Sequence, residues 1–413
     1  MASARAAERL LYDASDPGYR SDPYPLYASL RATDPVHRSP RGFWVLTRYE
    51  DIDLVQRDAR CSRGLRPDDG MVAAWGGWSS PIATELCTWM MHQDGADHAR
   101  LRGLVGKAFH PPGIRLLRAR VQTIVDGLLD KVLGGGAMEV IADLALPLPV
   151  AVISELMGLS VDDHEQTGRW ARAVGHAFDD VLTPETLGQT ELAIGEITSY
   201  MRTKLGQAGG DGAGILSTLQ AAQSGELLRE RELVSTANLL LFAGFETTRN
   251  LIGNGFLALL RHPEELEKLR TRPDLLPNAV LELLRYDSPV QANRRVALEP
   301  VEVGGVEIAA GEKMLLLLGA ANRDPARFED PDRLDVARPG VRPLSFGGGV
   351  HFCLGAPLAL LEAEIAISSL IRRLEGVELA GPVQWADNVF LRGLEALPVT
   401  FTPPLQARPQ RER

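Results

Sequence analysis

Cysteine is scarce: three residues, at positions 61, 87 and 353 of 413, are too few and too unevenly spaced for a disulfide framework, and none belongs to a C-x-x-C pair. A reducing compartment is the expectation. Long apolar runs are missing too, since stretches such as Met314 to Ala321 fall well short of the roughly 18 residues that would suggest a spanning helix. The opening MASARAAERLLYDASDP lacks an apolar signal core, so the chain reads as cytoplasmic with no membrane span. Basic charge does not dominate either. With 44 Lys and Arg against 54 Asp and Glu, the net charge of −10 argues against nonspecific nucleic-acid binding as the main task. No internal repeat, P-loop or H-E-x-x-H segment is found.

What remains is 45% apolar and 24% charged, the balance of a globular chain able to bury a sizeable core. The length alone fits two or three domains, or one large fold around an internal cofactor. SDPYPLYASLRATDP reads as a short helix between prolines and FWVLTRY, residues 43–49, as a strand. Residues 98–134 read as two successive helices broken at Pro111-Pro112. The stretch GQAGGDGAG at 206–214 reads as a surface loop between helical patterns. Residues 231–263 read as one long helix, apolar almost all round, yet with Glu246-Thr247-Thr248 at its middle. That conflict points to a buried helix crossing the molecule with a function at its centre. Another helix holds AVLELLRYDSP, and the short apolar runs after it, divided by Gly and Pro, read as small strands. The fold class is mainly α with minor β.

Residues 346–355 are FGGGVHFCLG, followed by the helical run APLALLEAEIAISSLIRRL. Glycines permit close backbone approach, and Cys353 before a helix would hold its sulfur at the positive helix end, a ligand geometry. The segment closely resembles the haem-binding loop F-G-x-G-x-H-x-C-x-G of soluble bacterial cytochrome P450 enzymes. Phe346, Gly347, Gly349, His351, Cys353 and Gly355 match every defined position. The resemblance implies that Cys353 is the thiolate ligand of haem iron, whose sulfur pushes electron density that favours O–O cleavage.

Three further segments support it. Glu282 and Arg285 stand three residues apart on one helix face and resemble the E-x-x-R structural pair. The family implies a third arginine partner, with Arg333 and Arg338 both open as candidates. Ala243-Gly244-Phe245-Glu246-Thr247 resembles the oxygen-activation segment A-G-x-[DE]-T. Its small residues allow the helix close to a flat cofactor, Thr247 is the candidate to hydrogen-bond the oxygen being activated, and Glu246 to help deliver protons. A threonine inside a helix can also bond the carbonyl four residues back. His98 and Arg102, at i and i+4, with Arg295 and His351, fall where a soluble P450 holds the haem propionates. Cofactor-binding candidates are therefore His98, Arg102, Ala243, Gly244, Arg295, Phe346, His351, Cys353 and Gly355.

Together with SDPYPLY and ANRDPARFEDPDRLD, the matches cover essentially the whole chain, with no departure at the principal catalytic positions. The resemblance implies one catalytic domain over residues 1–413, a triangular prism whose long central helix crosses haem b, with substrate-access elements near 63–90 and 169–206. It also implies a monooxygenase that uses O2 and draws NAD(P)H electrons through an iron-sulfur ferredoxin and its reductase, and a monomer. Candidate substrate contacts are Leu239, Ala243, Val290, Asn293, Val389 and Leu391. Met71, Trp75, Trp78 and Trp89, amid glycines, form either an aromatic lid or ordinary loop anchors. Among Arg100, Arg102, Lys107, Arg115, Arg118 and Arg120, solvated faces compete with an acidic-ferredoxin site; Arg100 reads as solvated or partner-facing. The expected reaction is hydroxylation or epoxidation of an apolar intermediate of secondary metabolism, such as a polyketide or terpenoid in antibiotic biosynthesis, free or carrier-tethered. The alternatives are oxidative coupling or cyclisation without oxygen insertion, a peroxide-dependent peroxygenase, and a noncatalytic haem sensor or scaffold.

Overall fold

The computed structural model describes residues 19, 21–160, 163–178, 182–207, 214–224, 228–386, 388 and 390–403. The expected single domain over 1–413 extends past them at both ends. Residues 179–181 of the second access element, 208–213 of the glycine stretch and the substrate candidate Val389 also lie outside the described residues.

The chain is mainly α with a minor β part. Eight helices build or support the central region: α1 (Gly95–Gly106), α2 (Arg118–Leu129), α3 (Pro147–Met157), α4 (His164–Gly175), α5 (Pro184–Gln207), α6 (Glu230–Arg261), α7 (Leu276–Tyr286) and α8 (Ala356–Arg373). The prolines at 111 and 112 do not simply end a helix. Pro111 opens a short one, Pro111–Leu116, because a proline at the first helical position has no needed N–H to lose.

The predicted long helix is α6, with 32 residues and a length of about 48 Å. Glu232 starts it by reaching back to accept from the Arg229 backbone N–H at 3.0 Å, and Pro263 opens the next helix beyond its end. It packs against α3, α4, α5, α7 and α8. Every residue from Leu233 to Leu259 is buried except Ala243, Gly244, Glu246 and Thr247. An interruption at the middle of a buried helix, far from either end, means that a cavity meets it there.

The small strands pair into separate sheets: β1 (Val36–Arg38), β2 (Trp44–Leu46), β3 (Cys61–Ser62), β4 (Ala137–Glu139), β5 (Ala292–Ala297), β6 (Val301–Val303), β7 (Val306–Ile308), β8 (Lys313–Leu317), β9 (Glu375–Leu379), β10 (Gln384–Trp385), β11 (Leu394–Ala396) and β12 (Pro398–Thr402). The largest has the order β1-β2-β8-β5-β3, antiparallel except for β2 with β8. In it Asn293 pairs with Leu316 and Arg295 with Met314. The main apolar core runs from Val72 to Phe401 and surrounds α6, and a smaller cluster lies under the five-stranded sheet.

Candidate active site

The loop before α8 folds back on itself. Cys353 N–H donates to the Phe346 carbonyl at 2.8 Å, and Gly347 N–H to the Leu344 carbonyl at 2.8 Å. Gly349 has a φ of +64°, and a Cβ there would lie 2.5 Å from the Gln56 carbonyl oxygen, so this position demands glycine twice over. The loop ends at Gly355, immediately before α8. Burial pushes the Cys353 thiol up, opposed by hydrogen bonds from the Gly355 and Ala356 N–H groups and by the charge of Arg102. Those two N–H groups are the unpaired donors of a helix start, aimed at the sulfur as the sequence suggests.

Cys353 lines a cavity of about 1450 Å³. Phe346, His351 and Gly355 join it from the loop, His98 and Arg102 from α1, and Asn293 and Arg295 from β5. Opposite stand Leu239, Ala243, Gly244 and Thr247 of α6, with Val290 from the turn after α7. All nine cofactor candidates thus surround one space. Gly244 also serves packing, because a Cβ there would meet Ile153 of α3 at 2.7 Å.

A second cavity, of about 1050 Å³, meets the first at α6 and β5 and is walled mainly by apolar groups. Glu246 and Leu391 line only this one, while Ala243, Thr247, Val290, Asn293 and Arg295 line both. Its aromatic surface comes from Phe178, Phe242 and Phe390. Phe178 and Phe242 stack with centroids 5.4 Å apart. The tryptophans do not form a lid. Trp75 is buried and donates to the Ala177 carbonyl at 2.8 Å, Trp89 is buried and donates to Glu85 at 3.0 Å, and Trp78 is exposed without lining either cavity. Of that set Met71 alone reaches the cavity wall, so loop anchoring is the role of Trp75 and Trp89.

Glu246 Oε1 accepts from Arg249 Nη1 at 2.8 Å, while its other oxygen is buried without a partner among the described residues. Arg249 is itself held by the Leu394 carbonyl at 2.6 Å. Thr247 Oγ1 stands 3.5 Å from the Ala243 carbonyl, at the outer limit of a hydrogen bond, so the intrahelical contact holds the hydroxyl only weakly.

His98 and His351 lie with ring centroids 4.2 Å apart. His351 Nε2 pairs with Asp94 Oδ1 at 3.0 Å, and Arg102 Nη2 donates to the Phe352 carbonyl at 2.7 Å, which ties α1 to the cysteine loop. Desolvation, with help from His351 and Arg102, lowers the His98 pKa to about 4, so its imidazole is neutral near pH 7. Burial alone would raise the Asp94 carboxyl, but hydrogen bonds from His351, Ser62, Gly64 and Arg63 hold it well below the ordinary range.

Glu282 and Arg285 of α7 are both fully buried, with Nε and Oε2 2.6 Å apart. The third arginine is Arg338, whose Nε donates to Glu282 Oε1 at 3.1 Å. Arg333 contributes its backbone carbonyl to Arg285 and to Arg338 instead.

Half of the basic cluster near α1 and α2 is spent on ion pairs. Arg100 is neither free nor merely solvated, since it pairs with Glu232 at 2.7 Å and Asp97 at 2.9 Å. Arg118 pairs with Glu364, and Arg120 with Glu155.

Sequence reasoning missed Asp94 and Arg249, and gave Arg63 only as the first residue of the 63–90 access element. For Arg249 a signal existed, because Glu246 and Arg249 repeat the E-x-x-R spacing of Glu282 and Arg285. For Asp94 there was none, because its partners Ser62 and His351 are remote in sequence.

The first cavity fits haem. Cys353 on its wall would hold the iron by its sulfur. Its wall carries guanidinium and imidazole groups but no Asp or Glu, which suits a ligand bearing carboxylates.

The family model described as Cytochrome P450 matches residues 194–381. The chain is 39% identical to the cytochrome P450 monooxygenase PikC of Streptomyces venezuelae, over 93% of this chain and 92% of that one. It is 37% identical to the polyketide biosynthesis cytochrome P450 PksS of Bacillus subtilis, over 96% of this chain and 100% of that one. Among solved structures, CalO2 matches with a TM-score of 0.90 and 37% identity, covering 95% of this chain and 99% of that one. P450BioI, in complex with hexadec-9Z-enoic acid ligated acyl carrier protein, matches with a TM-score of 0.88 and 37% identity, covering 93% and 100%. With likeness along nearly the full length and a lone thiol set beneath the one open stretch of a buried helix, the chain belongs to the cytochrome P450 family of haem b-dependent monooxygenases.

Proposed function

We propose that this chain inserts oxygen, by hydroxylation or epoxidation, into an apolar polyketide-type intermediate held in the 1050 Å³ cavity. The observation that carries this reading is the open stretch of α6: Ala243 and Thr247 line both the haem-sized and the apolar cavity, so a substrate in one borders the reacting centre in the other. The names of PksS and of the P450BioI complex support a polyketide or acyl chain, free or carrier-bound.

Haem b, when bound, supplies iron whose thiolate ligand favours activation of O2. Cys353 would hold it by its sulfur, and His98, Arg102, Arg295 and His351 by its carboxylates. Thr247, weakly held by its own helix, can turn its hydroxyl to the shared edge of the cavities. Glu246 Oε2, with Oε1 anchored on Arg249, can receive a proton and pass it to that hydroxyl. Phe178, Phe242 and Phe390 exclude water and orient an apolar skeleton by shape. Glu282 and Arg285 hold the core beneath the cysteine loop. Residues 1–413 act as one catalytic domain, supported by the continuous core about α6, with 63–90 and 169–206 as the access elements.

Electrons come from an iron-sulfur ferredoxin and its NAD(P)H-dependent reductase. Val350 and Phe352, exposed by 68% and 45% on the cysteine loop, support a docking face there, as do Lys107 and Arg115, which form no ion pair among the described residues. No helix among the described residues is long and apolar enough to cross a membrane.

The test is optical titration of the ferric protein with macrolactone and acyl scaffolds, free and carrier-bound, followed by turnover under labelled O2. A saturable low-spin to high-spin shift and one labelled oxygen in the product are expected. Substrate consumed without label in the product would overturn oxygen insertion.

A further inference from the structure

Arg63, just after β3, lines both cavities. Its backbone N–H lies 3.4 Å from Asp94 Oδ1, but its guanidinium has no hydrogen bond or ion pair among the described residues. Desolvation draws its pKa down to about 10, opposed by the charge of Asp94 and aided by that of Arg294. Arg295 is 2% exposed, bonds among the described residues only to the Asn293 side chain and the Arg294 carbonyl, and feels the repulsion of Arg63.

A half-buried and a fully buried guanidinium within range of each other are unfavourable unless an anion lies between them. The local charge shows how much anion is needed. Arg63, Arg102 and Arg295 line the haem-sized cavity, no Asp or Glu does, and Asp94 is the nearby carboxylate, so the three positive charges exceed it by two. Arg294 does not enter the sum, because it pairs with buried Asp69. Haem brings two carboxylates. We propose that Arg63 is a haem-propionate ligand of this chain, taking one carboxylate jointly with Arg295 and leaving the apolar cavity without a free cation. The proposal rests on the haem reading and adds to it a residue at the junction of cofactor and substrate space. It also defines the substrate class as neutral where it meets this wall.

The experiment measures haem transfer from the full-length holoprotein to excess apomyoglobin, for the unaltered chain, Arg63→Gln and Arg63→Lys. Loss of a charge-assisted hydrogen bond predicts release faster by about tenfold in Arg63→Gln, with partial rescue in Arg63→Lys. Loading with iron protoporphyrin dimethyl ester should abolish the difference between them. Independently of any variant, phenylglyoxal labelling with peptide mapping should find Arg63 protected in the holoprotein and reactive after haem removal. Equal release rates, or an Arg63 equally labelled with and without haem, would overturn the assignment. If, in addition, Arg63→Gln abolished the spin shift given by myristic acid but not by its methyl ester, the carboxylate received would be the substrate's. Failure of the unaltered chain to give a Soret band would instead remove the haem reading itself.

Discussion

Arg338 Nε donates to Glu282 Oε1 at 3.1 Å, joining residues 56 positions apart around a carboxylate already engaged by Arg285. The arrangement is complete on the arginine side: the guanidinium of Arg285 donates twice to Glu282 and once each to the carbonyls of Asn322, Pro331 and Arg333. Five N–H groups meet five acceptors, which is what a charge pays to be buried.

This network separates three arginines by role. Arg285→Ala leaves Glu282 buried and half paired and should cost about 3–5 kcal/mol, enough to lose most folded, haem-loaded protein. Arg338→Ala leaves the Glu282 and Arg285 pair intact and should cost about 1–3 kcal/mol. Arg333→Ala should change stability by no more than about 0.5 kcal/mol, because only its backbone takes part. Denaturant midpoints of the three proteins check the order, and an Arg333→Ala as damaging as Arg338→Ala would contradict it.

That choice between Arg333 and Arg338 shows where sequence reading stopped. Periodicity predicts α6 within two residues at either end, because 32 largely apolar residues admit no other regular structure. The ten-residue cysteine loop was legible because its glycines, histidine and cysteine act locally. Arg338 and Arg333 are equally basic, and only the turn between them decides which side chain points inward. Asp94, joined to Ser62 and His351 from distant segments, and Arg63, between two cavities, depend on how loops close in space. The tryptophans stayed undecided for a related reason, since composition does not tell an anchor from a lid.

Thr247→Ala and Glu246→Gln should leave haem binding unchanged, because neither group is placed among the carboxylate-binding side chains, and should still give a substrate-induced spin shift, because the wall they share with the substrate is mainly apolar. Product formed per NAD(P)H consumed should fall, with a rate loss of about 100-fold where proton delivery limits. Coupled turnover, with peroxide release measured alongside, checks this. A variant that lost the spin shift but kept its coupling would assign the pair to substrate binding instead.

Gly349→Ala places a methyl 2.5 Å from the Gln56 carbonyl oxygen at a φ of +64°. Relief requires moving either the cysteine loop or the helix Tyr49–Arg57 that carries Gln56. The expected outcome is a cost of about 2 kcal/mol or more and reduced haem loading, read as the Soret to protein absorbance ratio. Gly348→Ala should be milder, because its Cβ would meet the Gln56 side-chain oxygen at 2.8 Å, the flexible end of a side chain.

Glu362 lies in α8 with no exposed surface, and neither carboxyl oxygen has a partner among the described residues. Burial raises its pKa well above the ordinary 4.5, so the folded chain keeps a proton that the unfolded chain releases. The sign follows directly. Below pH 4.5 both states are protonated and the group contributes nothing; as pH rises above it, the unfolded state alone loses its proton and stability declines until the folded value is reached. Glu362→Gln cannot ionise and removes that decline. Its melting temperature should therefore gain on the unaltered protein as pH increases from 4.5 to 8, by about 1 °C for each kcal/mol recovered, given an unfolding entropy of about 2.1 cal/mol/K per residue over 413 residues. Parallel curves across that range would mean that Glu362 is ionised in the fold, held by a cation or solvent that offsets its burial.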